Sequence, residues 1–331
     1  MNIQGRDITI GLTHSETRQV AMDVFRANFL EMRDEAAELV LQRAEILLDS
    51  FLQEAAREGL TEILEGRNPD FQYAFYSAQK EYARSGDEDL GELLVQLLID
   101  RTKVQKRDLN QIVLNESLAV APKLTSDQLD ALSLIFFHKY FQFGGVESLA
   151  DLHTRLEEFY FPFVAGASRN HSAYQHLEYV GCGGMSVLEV QSHEPFTRLY
   201  AGLFTKGFPE SSLNMSLTEE QKSCLLIPCR RDEAMLQIDA IYEESIDELC
   251  ERLGIDSRSL PRLKQVQVQN IMRPEEVSDD LTTALPWMAQ FFKLWDETPI
   301  KSMTLTSVGV IIAHANIKRQ TGEDIDLTSW L

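Results

Sequence analysis

The sequence predicts a mostly α-helical chain: a helical bundle preceded by a short β-strand, then a smaller mixed α+β C-terminal part. Three observations carry that expectation. Ala37, Val40, Ala44, Leu47, Phe51 and Ala55 step by threes and fours, the spacing that lines one face of a helix. Ile8, Ile10 and Leu12 alternate with Asp7, Thr9 and Gly11, the period-two pattern of a strand with one apolar face. Beyond Gly166-Ala167-Ser168-Arg169-Asn170, a small polar joint, the long helical periods give way to short apolar runs broken by turns. The expected parts are therefore a strand and oligomerisation segment over 1–13, a helical bundle over 14–165 and an α+β domain over 166–331.

The first strand ends at Thr13-His14-Ser15-Glu16, where Thr13 and Glu16 are spaced to satisfy free amides at a helix start. An isolated strand is marginal in water. Ile8, Ile10 and Leu12 are thus expected to pair with a distant strand of the same chain or with another copy, a frayed terminus being the plainer alternative. Val20 to Leu64 reads as helix with a break near Met32–Glu35, where Asp34 suits a cap, and Gly66-Arg67-Asn68-Pro69 stops it. Helices follow over Phe71–Arg84, Asp89–Arg101 and Leu109–Val120. The Thr125–Gln128 capping box then opens an almost wholly apolar helix running to Phe141, expected at the centre of the N-terminal half. Val146 to Val164 adds aromatic residues suited to core packing.

In the second half, a helix from about His171 to Val180 ends at Gly181-Cys182-Gly183-Gly184, and Pro195–Phe204 forms another. Thr218-Glu219-Glu220-Gln221 caps a further helix. Leu225–Ile227 and Met235–Ile238 read as short strands without excluding helix, and Val266-Gln267-Val268-Gln269 alternates like a strand. Glu243–Leu253 is amphipathic and stops at Gly254. After a helix over Trp287–Trp295 come a strand at Ser302–Leu305, a helix capped by Thr306 or Ser307 and an extended tail. That order resembles the end of a winged-helix unit, with Gly309 allowing close helix packing.

The 331 residues carry a formal charge of −21, which repels phosphate backbones and anionic lipid, so nucleic-acid and membrane partners are disfavoured. No apolar run approaches the roughly 18 residues of a bilayer span. The N-terminus lacks a signal-type apolar stretch, and the four cysteines, Cys182, Cys224, Cys229 and Cys250, follow no metal or disulfide spacing. A cytoplasmic address is expected.

The residues of ligand type that cluster in sequence are His171, His176, Glu178, Cys182 and His193. His171, His176, Cys182 and His193 are the metal candidates. They are weak ones, because His171 and His176 are five apart, about 140° around a helix, instead of stacked one turn apart. No phosphate-loop, dinucleotide or nucleophile-elbow motif occurs, so no cofactor and no catalytic residue is expected.

Ile8–Thr13, Val20–Phe29, Phe71-Gln72-Tyr73, Ala78-Gln79-Lys80, Asp100-Arg101 and Pro122–Thr125 resemble segments of an uncharacterised bacterial family of helical proteins associated with mobile elements and anti-phage conflict. The close Leu305-Thr306-Ser307-Val308-Gly309 is similar to that of Abi-alpha-type abortive-infection proteins. The resemblance implies a defence or mobile-element setting and brings no catalytic residues. The expectation is a self-associating interaction protein, a homo-oligomer that also binds a protein partner. Two alternatives remain: a metal-dependent hydrolase or nuclease using His171, His176 and nearby carboxylates, and a DNA-binding regulator with a basic face around Lys301, Lys318 and Arg319.

Overall fold

The structure, a computed structural model, describes residues 14–28, 34–60, 68–104 and 106–325. Among the described residues the chain is mostly helical, with 69% helix and a few short strands. The strand expected at Ile8, Ile10 and Leu12 lies outside the described residues.

Local chemistry sets many of the helix ends. After α1 (His14–Asn28) and α2 (Asp34–Arg57), α3 (Pro69–Ser85) starts where the Asn68 side chain accepts from the Asp70 amide. It ends at Gly86, whose φ of 65° is left-handed. Asp87 caps α4 (Glu88–Lys103) and Asp108 caps α5 (Leu109–Val120) by the same side-chain-to-amide bond. There follow α6 (Ser126–Tyr140), α7 (Leu149–Phe159), α8 (Phe161–Val164) and α9 (His171–Tyr179). Next come β1 (Gly183–Met185), α10 (Glu194–Leu199), α11 (Ala201–Phe204) and α12 (Glu219–Leu225). The Thr218–Gln221 box at the start of α12 is complete in both directions. β2 (Leu226–Pro228) pairs antiparallel with β3 (Leu236–Ile238), Leu226 opposite Ile238. The chain continues through α13 (Glu243–Arg252), α14 (Leu260–Val268), α15 (Pro274–Ala284), α16 (Met288–Glu297), β4 (Met303–Leu305) and α17 (Ser307–Thr321). β4 pairs with β1.

The strand expected at Val266–Gln269 is instead the end of α14. Pro261 in the first turn starts a helix, and Leu263 and Val266, three apart, are both fully buried against Phe208, Leu213, Leu249 and their neighbours. Burial at helical spacing overrides a four-residue alternation.

Two compact units divide the chain, and neither is one stretch. Unit 1 takes the described residues up to Ser133, with Gln175–Gly184 and those from Thr304 onward; unit 2 takes Leu134–Tyr174 and Met185–Met303. The joint expected at 166–170 falls inside unit 2, where the Tyr174 hydroxyl donates to the Ser168 carbonyl at 2.6 Å.

In unit 1, α2, α3, α4, α5 and α17 pack on one another. Phe51 meets Phe75 edge-on at 5.1 Å between ring centres, and Leu93, Leu94, Leu97 and Leu98 of α4 are fully buried. α17 is the inner helix, buried without a break from Gly309 to Lys318. Its start is pinned by Thr306, which accepts from the Gly309 amide and donates to the Gly181 carbonyl at 2.6 Å. A Cβ on Gly309 would lie 1.9 Å from the Cys182 carbonyl oxygen, so only glycine admits that approach. Unit 2 is built on rings: Phe137 stacks near Phe143 and Tyr160, while His138 sits among Phe196, Phe291 and Trp295. Among the described residues no helix is long and apolar enough to cross a membrane.

Candidate functional sites: a buried ionic cluster and an uncovered apolar loop

Six charged side chains converge in unit 1. The last turns of α4 place Asp100 and Lys103 on one face, three residues apart; α17 does the same for His314 and Lys318, four apart. Glu58 follows the end of α2. Gly322, with φ 79°, terminates α17 and turns the chain so that Asp324 comes back onto the helix it has just left. Asp324 lies 3.2 Å from His314 Nε2, 2.9 Å from Lys318 Nζ and 3.6 Å from Lys103 Nζ. Asp100 lies 3.6 Å from His314 Nδ1 and 3.1 Å from Lys103. Glu58 pairs with Lys103 at 2.9 Å and also with Lys318.

These contacts decide the protonation of His314. Its two ring nitrogens face one carboxylate each, Nδ1 towards Asp100 and Nε2 towards Asp324. Burial works against the imidazolium, but Asp100 and Asp324 outweigh it, and the pKa stands above the ordinary histidine value. Burial likewise pushes Asp100 up, and His314, Lys103 and Lys318 together bring it below the usual aspartate range. His314 and Lys318 hold Asp324 well below that range. With the imidazole protonated, three anions (Glu58, Asp100, Asp324) face three cations (Lys103, His314, Lys318), and the cluster is neutral. A raised, doubly paired imidazolium is a poor general base at neutral pH. Here it serves to hold elements together.

A second buried cation sits next along α4. Arg101, with no exposed surface, bonds the Asp70 carboxylate at 2.7 Å, the Asn115 side chain at 2.9 Å and the Val104 carbonyl at 2.9 Å, joining α3, α4 and α5. A cleft of about 590 Å³ opens beside Lys318 between α2, α4 and the end of α17. Its cations are already paired, Arg57 with Glu54 and Arg319 with Asp89 and Glu92.

In unit 2, the loop after β1 presents an aliphatic pair to solvent: Val187 is 99% exposed and Leu188 81%. The backbone on either side is fixed, since the Ser186 amide donates to the Ser302 carbonyl at 2.8 Å and the Val190 amide to the Lys301 carbonyl at 3.0 Å. Lys301 also pairs with Glu189 at 3.1 Å. The apolar tip is therefore held out on a braced loop.

The metal candidates are not brought together as a binding set. His171 opens α9 on the surface, and His176 Nδ1 lies 3.1 Å from the Gln128 side-chain nitrogen. Cys182 is fully buried, its thiol pushed up to about 12 by burial. His193 precedes α10 in a pocket with Glu275, Asp279 and Asp296. Among the described residues no group of three or more His, Cys, Asp or Glu is placed to hold a metal ion. Sequence reasoning passed over the ionic cluster, although a signal existed: His314 interrupts the largely apolar run from Val310 to Ile317, Lys318 follows it, and Asp100-Arg101 follows Leu97-Leu98-Ile99. Charge inside an apolar helix must find a partner.

No curated protein and no solved structure matches the chain. A family model matches residues 11–331, and the chain belongs to that uncharacterised family.

Proposed function

We propose that the chain is a self-associating interaction protein. The observation that carries this reading is the braced pair Val187 and Leu188, left uncovered on a surface otherwise rich in carboxylates. Burying a valine or leucine contributes about 1.5–3 kcal/mol relative to leaving it exposed. Covering both in a second copy thus recovers about 3–6 kcal/mol by the same measure. The strand expected from Ile8, Ile10 and Leu12 offers a second apolar element. With this reading go a helical-bundle form for the N-terminal half, a winged-helix-like close at β4 and α17, and a cytoplasmic address, the last in keeping with four free cysteines. The setting in phage defence or mobile-element conflict follows from the motif resemblance alone.

The two alternatives have less support. The hydrolase reading needs His171 and His176 to converge with carboxylates, and the described residues offer no such set. The DNA reading needs a basic face, whereas Lys301 pairs with Glu189, Lys318 with Glu58 and Asp324, and Arg319 with Asp89 and Glu92. Sedimentation velocity of the full chain beside a Val187→Asp/Leu188→Asp variant tests the proposal. A wild-type oligomer that dissociates in the variant is expected; a wild-type monomer, or an oligomer indifferent to both substitutions, overturns it.

A further inference from the structure

We propose that the His314 cluster is a proton-operated clasp: its imidazolium fastens the segment following α17 to unit 1 through Asp324, and loss of that proton loosens the fastening. The argument starts from charge. Among the described residues, the groups facing His314 are Asp100 and Lys103 from α4, Glu58 after α2, Lys318 one turn along α17, and Asp324 beyond Gly322. The buried residues of α5, which packs on α17, are Gln111, Val113, Leu114, Ser117, Leu118 and Val120, none of them charged. Asp130 of α6 is turned to Asn316 and Gln320. Deprotonation leaves three carboxylates opposite two ammonium groups in a buried place, one negative charge in excess.

The excess falls on the carboxylate best able to leave. Glu58 and Asp100 are each 16% exposed and fixed at helix ends, whereas Asp324 is 51% exposed and lies three residues past the end of α17. Water can take over its solvation at small cost, so the segment lets go there. The sign follows from the raised histidine pKa. The fastening is complete below the ordinary histidine value, about 6.5, and is lost as pH rises through the higher folded-state value.

Hydrogen exchange of the amides of residues 319–325 in the full chain, corrected for intrinsic rates between pH 6 and 9, tests the clasp. Wild type should lose protection progressively as pH rises over that range, the direction set by the raised histidine value. Asp324→Asn should show the low value throughout, and this half-exposed position spares the fold. His314→Gln should do the same, separating His314 from the other histidines. Protection that stays constant in wild type, or that still falls with pH in either variant, overturns the proposal. An imidazole resonance of His314 titrating at or below 6.5 overturns it as well.

Discussion

Replacing Lys318 by methionine probes the ionic cluster by removing the ammonium while keeping an unbranched side chain. The Lys318 side chain is 2% exposed, and its ammonium is bound by Glu58 and Asp324. Removing one member of a buried ion pair typically costs about 3–5 kcal/mol, because the partner charge stays behind unpaired. Two features reduce that here. Asp324 is half in water, and Glu58 keeps Lys103 at 2.9 Å. The expected loss for Lys318→Met is therefore about 2–3 kcal/mol, just below that range. Glu58→Gln in the same chain removes the stranded carboxylate and should restore part of the loss. A coupling energy of about 1–2 kcal/mol, within the span for contacting residues, is expected from the double-mutant cycle. Urea unfolding followed by far-ultraviolet circular dichroism at pH 7 supplies the four stabilities. A loss for Lys318→Met under about 0.5 kcal/mol, the ordinary surface range, would refute the claim that this lysine is a buried structural charge.

Other substitutions test other parts of the account. Gly309→Ala forces a Cβ into the Cys182 carbonyl and should cost about 2 kcal/mol or more in the same unfolding assay. Thr306→Ala removes the cap of α17 and the bond to Gly181, and should cost about 1–2 kcal/mol. In the native chain iodoacetamide should label exposed Cys224 and spare Cys182, which mass spectrometry of the digested protein will show. On the acid side, Asp100 and Asp324 have depressed pKa values. Their contribution is present above the ordinary aspartate value of about 3.9 and is lost as pH falls through the lowered ones, so the acid-unfolding curve of Asp324→Asn should be shallower than that of wild type.

Local signals in the sequence were largely readable. The helices over α3, α4 and α5, the box at Thr218 and the cap at Thr306 all depend on residues within a few positions of one another, whereas Gly309, expected to admit a packed helix, admits the distant Cys182 carbonyl. What the sequence concealed was long-range. α17 is apolar nearly all round, which foretells burial but not against which helices, and it packs in unit 1 with α4 and α5. The pairing of Asp100 with His314 spans more than two hundred positions, a distance no periodicity reports. The exposure of Val187 and Leu188 was equally hidden, since a short aliphatic pair after Gly183-Gly184 reads as core until its surroundings are known.

The most direct test of self-association is to place a photoreactive side chain at position 188 in the full-length protein, irradiate, and map the captured peptide. The account predicts a chain-to-chain product of twice the monomer mass that disappears when Val187 is aspartate. Exclusive capture of solvent or of residues in the same chain, at concentrations well above the micromolar range, would contradict it.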